Sequence, residues 1–295
     1  MKHGVWMAAL TVSVVLSSPQ SSSASIIIFE VGGNASTASI QGTVDAFRTA
    51  LGNPNNGNAP GTTGGRREIN WDGGGATATA PGGTPFTVFF DTRGALVTTP
   101  GTGFVQVPVT DNNANGLSDI ADFYMNPAYN GEFGAFSPVR VFNPVGSNIT
   151  DVTFIVPGTA ADPISATVSG FGSVFSDVDA ATSTQMMFFD ILGNILFSRF
   201  VPAGSVPNGS LSFLGGFGNA GEQIARVRLI TGNAALGAGT TEGGAIDLAV
   251  MDDFLYSEPQ AVPEPMTLGL VAVGFGAAAS RARRRRLDKH VERPS

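Results

Sequence analysis

The 295-residue sequence contains no cysteine, and histidine and lysine occur only near its ends, as His3, His290, Lys2 and Lys289. A chain trimmed at both ends would hold no thiol, imidazole or amine side chain. That excludes a Ser-His-Asp triad, a cysteine nucleophile, a Schiff-base lysine and an ordinary zinc site. Charge is scarce as well, at 13% of residues, about half the usual quarter. What is plentiful is glycine (39), proline (18) and phenylalanine (21). That much Gly and Pro stays short of a structureless low-complexity chain, and the phenylalanines suffice for a core. No internal repeat and no compositional break divides the middle, so a single domain is expected there.

Both ends read as addresses. Met1-Lys2-His3-Gly4, the apolar run Val5 to Leu16 and a Ser-rich stretch ending Ser22-Ser23-Ala24-Ser25 have the form of a secretory signal peptide cleaved after Ala24. Export through the Sec translocon follows. At the other end, Val262-Pro263-Glu264-Pro265 leads into the mostly apolar run Met266 to Ala279, then Arg281, Arg283, Arg284, Arg285 and Arg286. This run is shorter than the ~20 residues of a comfortable span, but a Gly/Ala-rich helix can cross a locally thinned bilayer. The arginines would hold the extreme C-terminus in the cytoplasm. The expectation is a precursor anchored in the inner membrane by a transmembrane helix, with residues 25–260 outside.

This ending resembles the PEP-CTERM sorting signal of Gram-negative bacteria. Val262, Pro263, Glu264 and Pro265 fall on its Pro-Glu-Pro element, and Arg283, Arg284, Arg285 and Arg286 on its basic block. The extension Leu287 to Ser295 departs from the usual ending. The resemblance implies recognition by an exosortase and cleavage near the Pro-Glu-Pro. The product would be a cell-surface or extracellular protein, often in a setting of exopolysaccharide. The chain divides accordingly into a signal peptide (1–24), an exported domain (25–258) and a sorting signal (259–295).

Short β-branched and aromatic runs recur through the exported part between Gly, Asn, Pro and Asp clusters, among them Ser25–Val31, Phe86–Asp91, Phe104–Val109, Gly172–Asp177 and Ile246–Tyr256. They predict an all-β domain, a β-sandwich or jelly roll. The clearest hairpin turns at Gly193-Asn194. One short helix is predicted over Thr43–Leu51, where Val44, Phe47 and Leu51 share a face and Gly52 follows as a stop. Arg67-Glu68-Ile69-Asn70-Trp71-Asp72-Gly73, Gly170 to Asp179 and Met251-Asp252-Asp253-Phe254 are similar to segments of a family of exported bacterial proteins that often carry this tail. That likeness supports one domain and brings no activity with it.

Three groups of residues are candidate sites. Asp111-Asn112-Asn113-Ala114-Asn115-Gly116-Leu117-Ser118-Asp119-Ile120-Ala121-Asp122 resembles a dockerin or EF-hand loop. Asp111, Asn113, Asn115, Asp119 and Asp122 would supply side-chain oxygens, and Leu117 its carbonyl, to Ca²⁺. An ordinary Asx-rich turn is the competing reading. Trp71 and Asp72 are the best local mixture for stacking on a sugar ring and bonding its hydroxyls. Strand alternation separates the indole from its polar neighbours, however, so a core Trp on an edge strand beside a surface ion pair is the preferred reading. Asp177-Val178-Asp179 and Asp252-Asp253 would form a second calcium site or a carboxylate pair for glycoside hydrolysis. Solvated turn carboxylates are preferred there.

Residues 25–265 hold eight arginines against 21 acids, a formal charge of −13. A phosphate backbone would be repelled, so no nucleic-acid partner is expected. The leading expectation is a non-enzymatic structural or adhesive surface protein with exopolysaccharide as a partner. A calcium- or carbohydrate-binding module is the alternative, and a carboxylate-dependent glycosidase the third. No cofactor is required by the sequence, and Ca²⁺ is the first ligand to test.

Overall fold

The computed structural model describes residues 25–73 and 80–262. The predicted signal peptide, Pro263, Glu264, Pro265, the apolar run after them and Arg283 to Arg286 lie outside the described residues. Among the described residues no helix is long and apolar enough to cross a membrane.

In chain order the strands are β1 (Ile26–Gly32), β2 (Arg66–Ile69), β3 (Ala80–Gly82), β4 (Ala95–Thr98), β5 (Gly103–Pro108), β6 (Arg140–Val145), β7 (Ile149–Ile155) and β8 (Ser165–Thr167). They continue with β9 (Gly170–Ser176), β10 (Gln185–Phe189), β11 (Ile195–Phe200), β12 (Leu211–Gly218), β13 (Arg226–Ile230), β14 (Val250–Ser257) and β15 (Gln260–Ala261). Among the described residues three α-helices accompany them, α1 (Ala38–Leu51), α2 (Phe90–Arg93) and α3 (Asp119–Tyr124), with a single 3-10 turn at Pro127–Tyr129. The strands form two antiparallel sheets, one of them curled into a half-barrel. One runs β1-β12-β9-β14-β6-β5-β3, with β2 also on β14. The other runs β11-β10-β13-β7-β8-β15, with β4 also on β7.

Two central strands of the larger sheet, β9 and β14, are buried along their whole length. Apolar residues accordingly lie on both faces of each strand, with Ser173, Ser176, Asp252, Asp253 and Ser257 buried among them. Phe171, Phe175, Met251, Phe254 and Tyr256 meet Val152, Phe154, Met186, Phe188, Val227 and Leu229 of the other sheet in the main core. On the opposite face, Val174 and Leu255 pack with Ile40, Val44, Phe47 and Leu51 of α1. The helix comes this close because the sheet presents glycine beneath it. A Cβ on Gly172 would lie 2.7 Å from the Phe47 ring, and one on Gly215 2.9 Å. A third cluster packs α3 against Val105, Val141, Leu248 and Val250.

Two expectations need correction. The helix predicted over Thr43–Leu51 runs from Ala38, as the longest of three rather than the sole helix. Its first turn carries one apolar residue, Ile40, among Ala38, Ser39 and Gln41, and Ile40 extends the buried face of Val44, Phe47 and Leu51 by one turn. The Thr37 hydroxyl bonds the carbonyl of Phe136 instead of capping the helix, which makes this start a tertiary effect. Phe86–Asp91 is not a strand: Phe86 makes a single bridge to Val97, and α2 begins at Phe90. Phe86 and Phe89 flank the Trp71 indole, which fixes this segment by packing rather than by pairing. The hairpin at Gly193-Asn194 joins β10 and β11, with Gly193 at a φ of 84°.

Arg67, on the same strand face as Ile69 and Trp71, is completely buried and doubly bonded to Glu258 at 2.7 Å. Its guanidinium also donates to the carbonyls of Gly57, Ala59, Pro60 and Thr92. Glu258 in turn accepts from Asn56 and from the Thr62 amide. One buried pair thus gathers the Gly/Asn/Pro loop 53–65 onto the end of β14. Removing one partner of such a pair strands the other charge. Glu258→Gln is therefore expected to cost about 3 kcal/mol in urea unfolding. A loss under about 1 kcal/mol would show that the carbonyl cage alone satisfies Arg67.

Candidate metal centre

Of the four acidic residues that the sequence places at strand ends, Asp179 is exposed, but the other three are not solvated turn carboxylates. Asp177 and Asp252 are completely buried and Asp253 is 3% exposed. Around them the chain builds two different environments.

Asp252 and Asp253 fall at a register shift in β14, between Met251 and Phe254. The irregularity sets aside strict alternation, so both side chains turn inward instead of opposing. Asp252 accepts from the amides of Phe136, Ser137 and Asp253. Asp253 accepts from the Ser137 hydroxyl at 2.8 Å and lies 3.5 Å from Arg48. Burial pushes both carboxyls up, Asp253 to about 6. With its oxygens held by backbone amides, Asp252 is an anchor for the 136–137 segment and offers nothing to a glycoside.

Asp177 follows the last residue of β9 in a left-handed conformation, at a φ of 67°, which a non-glycine residue seldom adopts. That conformation turns its carboxylate inward, toward two acids from distant segments. One oxygen each of Asp177, Glu132 and Glu242 lie within 4.8 Å of one another. Asp179, Glu242 and Asp247 form a second group under the same limit, so Glu242 belongs to both. Among the described residues, no arginine pairs with any of the five.

The first group is organised like a ligand shell. Asp177 Oδ1 accepts from the Gly209 amide at 3.0 Å, Glu132 from Asn208 at 2.7 Å, and Glu242 from the Leu248 amide at 2.6 Å. Each carboxylate is thereby held through one oxygen, as outer donors hold metal ligands. The other oxygen of Asp177, Oδ2, is buried with no hydrogen-bond partner. Asp247 is committed elsewhere, to the Asp179 and Ala180 amides and the Ser183 hydroxyl, so it fixes the loop that carries Asp179. Burial, then the neighbouring Glu132, Asp179 and Glu242, pushes the Asp177 carboxyl up to about 9. Glu242 rises to about 7, first by burial and then by Asp247, Glu132 and Asp179. Glu132 and Asp179 are raised too, chiefly by burial.

The residues singled out from the sequence lie elsewhere. In the 111–122 loop, Asp111 accepts from the Gly116 amide, Asp119 takes the backbone and side-chain amides of Asn112, and Asp122 takes the side-chain amides of Asn113 and Asn115. Asn113 and Asn115 close Asx turns onto the amides of Asn115 and Leu117. Asp122 thereby draws Asn113 and Asn115 together, while Asp111 and Asp119 are each held by donors of their own. Trp71 is completely buried, stacked on Phe142 with centroids 3.7 Å apart and bonded through Nε1 to the Asp252 carbonyl. It has no face left for a sugar. Asp72 accepts from the Arg140 amide. Val262 is the last described residue, its amide bonded to the Ser165 carbonyl. Sequence reasoning missed Glu132, Glu242 and Asp247, and only Asp177 and Asp179 were close enough together to be noticed.

No protein-family model, curated protein or solved structure matches the chain.

A carboxyl whose folded pKa lies above its unfolded value binds more protons in the folded state, so stability is lost as pH rises through that interval. In chelator, the urea midpoint should therefore fall from about pH 5 to about pH 9, the window set by Asp253, Glu242 and Asp177. Asp190 and Glu222, whose values are lowered, act only at more acid pH. A midpoint that is flat or rising across that window would contradict the assigned burial of these acids.

Proposed function

We propose that this chain is an exported, non-enzymatic β-sandwich protein of the cell surface or extracellular matrix, whose fold is locked by Ca²⁺ at Glu132, Asp177 and Glu242. The observation that carries the calcium reading is the buried Asp177 Oδ2, aimed at two further carboxylates and met by no donor. A buried carboxylate in this state needs either a proton or a cation. Three acids, each held by an outer N–H, with a fourth nearby on Asp179, favour the cation. All-oxygen donors of this kind suit a hard ion. Ca²⁺ tolerates their irregular arrangement, whereas Mg²⁺ demands a near-ideal octahedron.

Sorting and setting rest on the two ends of the chain. The signal peptide supports export, and the Pro-Glu-Pro, apolar and arginine segments support exosortase processing from a membrane-anchored precursor. Extracellular modules bind calcium in the range of about 10⁻⁴–10⁻³ M, so a cation-locked fold would be stable outside the cell and weak before export. A sandwich cross-braced in this way suits a structural or adhesive part in an exopolysaccharide matrix.

Thermal unfolding of residues 25–262 in EDTA and in excess CaCl₂ tests the calcium reading. At a hundredfold excess over Kd the gain is about 2.7 kcal/mol, which for a domain of this size is roughly 5–10 °C. Glu242→Gln and Asp177→Asn should each abolish the gain, and Asp122→Asn should leave it intact. An unchanged midpoint on adding Ca²⁺ would show that a shared proton, not a cation, holds Glu132 and Asp177 together.

A further inference from the structure

The chain carries eight arginines between residues 25 and 262. Six of them, Arg48, Arg66, Arg67, Arg199, Arg226 and Arg228, form ion pairs. A seventh, Arg140, donates to the Gly73 carbonyl. Arg93 alone has a guanidinium with no acceptor among the described residues, and its Nε is buried. In a domain with such an excess of carboxylates, leaving one half-buried arginine unpaired is a cost that its surroundings do not recover. Burial pushes its value down; Tyr256 and, less, Glu68 oppose this, and Arg67 adds to it.

Arg93 ends α2 and lines a cleft of about 410 Å³ between α1, β2, β14 and the 136–137 turn. The volume is within the range of small-molecule sites. The cleft is walled by polar groups of every kind. Glu68 and Asp253 are acceptors, Arg48 bridges them at 3.0 and 3.5 Å, and Asn55, Asn70 and Gln41 supply amides. Thr37 and Ser137 add hydroxyls, and Phe136, whose side chain packs in the core beneath α1, completes the wall.

We propose that this cleft binds a sugar acid, with Arg93 taking the carboxylate and the surrounding amides and carboxylates taking the ring hydroxyls. A guanidinium is a planar two-pronged donor that matches a carboxylate. Glu68 and Asp253 accept hydroxyl protons but repel a second negative charge, so a phosphate dianion or an acidic peptide fits poorly. A monoanion rich in hydroxyls satisfies every wall of the cleft. The site shares no ligand with the carboxylate cluster at Asp177, so either reading stands without the other.

The test is NMR titration of residues 25–262 in EDTA with glucuronate, galacturonate and mannuronate, each beside its methyl ester. Acetate serves as the bare carboxylate. At least one uronate should bind, with shifts at Arg93, Asn70 and Ser137, and its ester and acetate should each bind at least tenfold more weakly. Arg93→Gln should weaken the uronate at least tenfold, leave the ester unchanged, and raise the melting temperature by removing an unpaired buried cation. The wild-type comparison of acid with ester stands even if that variant folds poorly. No binding by any uronate, equal binding of acid and ester, or equal binding of acetate would overturn the proposal.

Discussion

Everything distinctive in this domain follows from having to bury negative charge with very few cations. Arginine is the sole basic side chain available between residues 25 and 262, and eight of them face a much larger set of acids. Most acids can stay at the surface. Several cannot, because they lie next to β9 or on β14, strands buried on both faces. The structure meets this constraint in three ways. Glu258 is matched by an arginine that is itself caged by carbonyls. Asp252 is matched by backbone amides. Asp177 receives one amide and otherwise meets only other carboxylates.

These solutions differ in what they leave over. An ion pair with satisfied outer bonds is closed, and so is a carboxylate tied by three amides. Their removal would disturb the fold without opening a site. The Asp177 group is not closed, since its buried, orphaned oxygen belongs to a carboxylate that faces like charge. Strain in the backbone at Asp177 reinforces the point, because the left-handed turn that creates the repulsion persists against its own cost. Arg93 is the mirror image on the other side of the charge balance, a cation withheld from every available acid. Each is an unmatched charge held in place, which is how a site for an external partner of opposite sign is built.

The sequence made the β character legible, because runs such as Phe104–Val109 and Gln185–Asp190 are short, apolar and bounded by turn residues. It also located α1 from Val44, Phe47 and Leu51, though not the turn before them. The carboxylate centre was much less visible. Glu132, Asp177 and Glu242 come from three loops with more than a hundred residues between the outermost two, so no spacing connects them. The 111–122 loop, by contrast, has ligand-like spacing but uses its Asn and Asp side chains on one another. Alternation failed at Asp252-Asp253 for a local reason, the register shift that turns both inward. It held at Arg67, Ile69 and Trp71, all buried, but nothing local said that the arginine among them would find Glu258 far along the chain.

The segment from Asn126 to Ser137 ties these features together. Asn126 bonds the carbonyls of Gly237 and Thr240, next to the loop that carries Glu242. Glu132 enters the carboxylate centre, and four residues later Phe136 and Ser137 are pinned by Asp252 and wall the cleft beside Arg93. Along this stretch the chain crosses from one unmatched charge to the other without a long helix or strand to stiffen it. Its position is therefore set by side-chain bonds along its length: Asn126 and Tyr129 on the Gly237 and Thr240 carbonyls, Glu132 on Asn208 at its middle point, Gly134 on Ser176, and Phe136 and Ser137 on Asp252. A cation drawing Glu132 toward Asp177 would tighten the middle point and leave the Asp252 anchor untouched. The shape of the cleft then depends on Asp252, while the rigidity of the segment leading to it depends on how the charge at Asp177 is met.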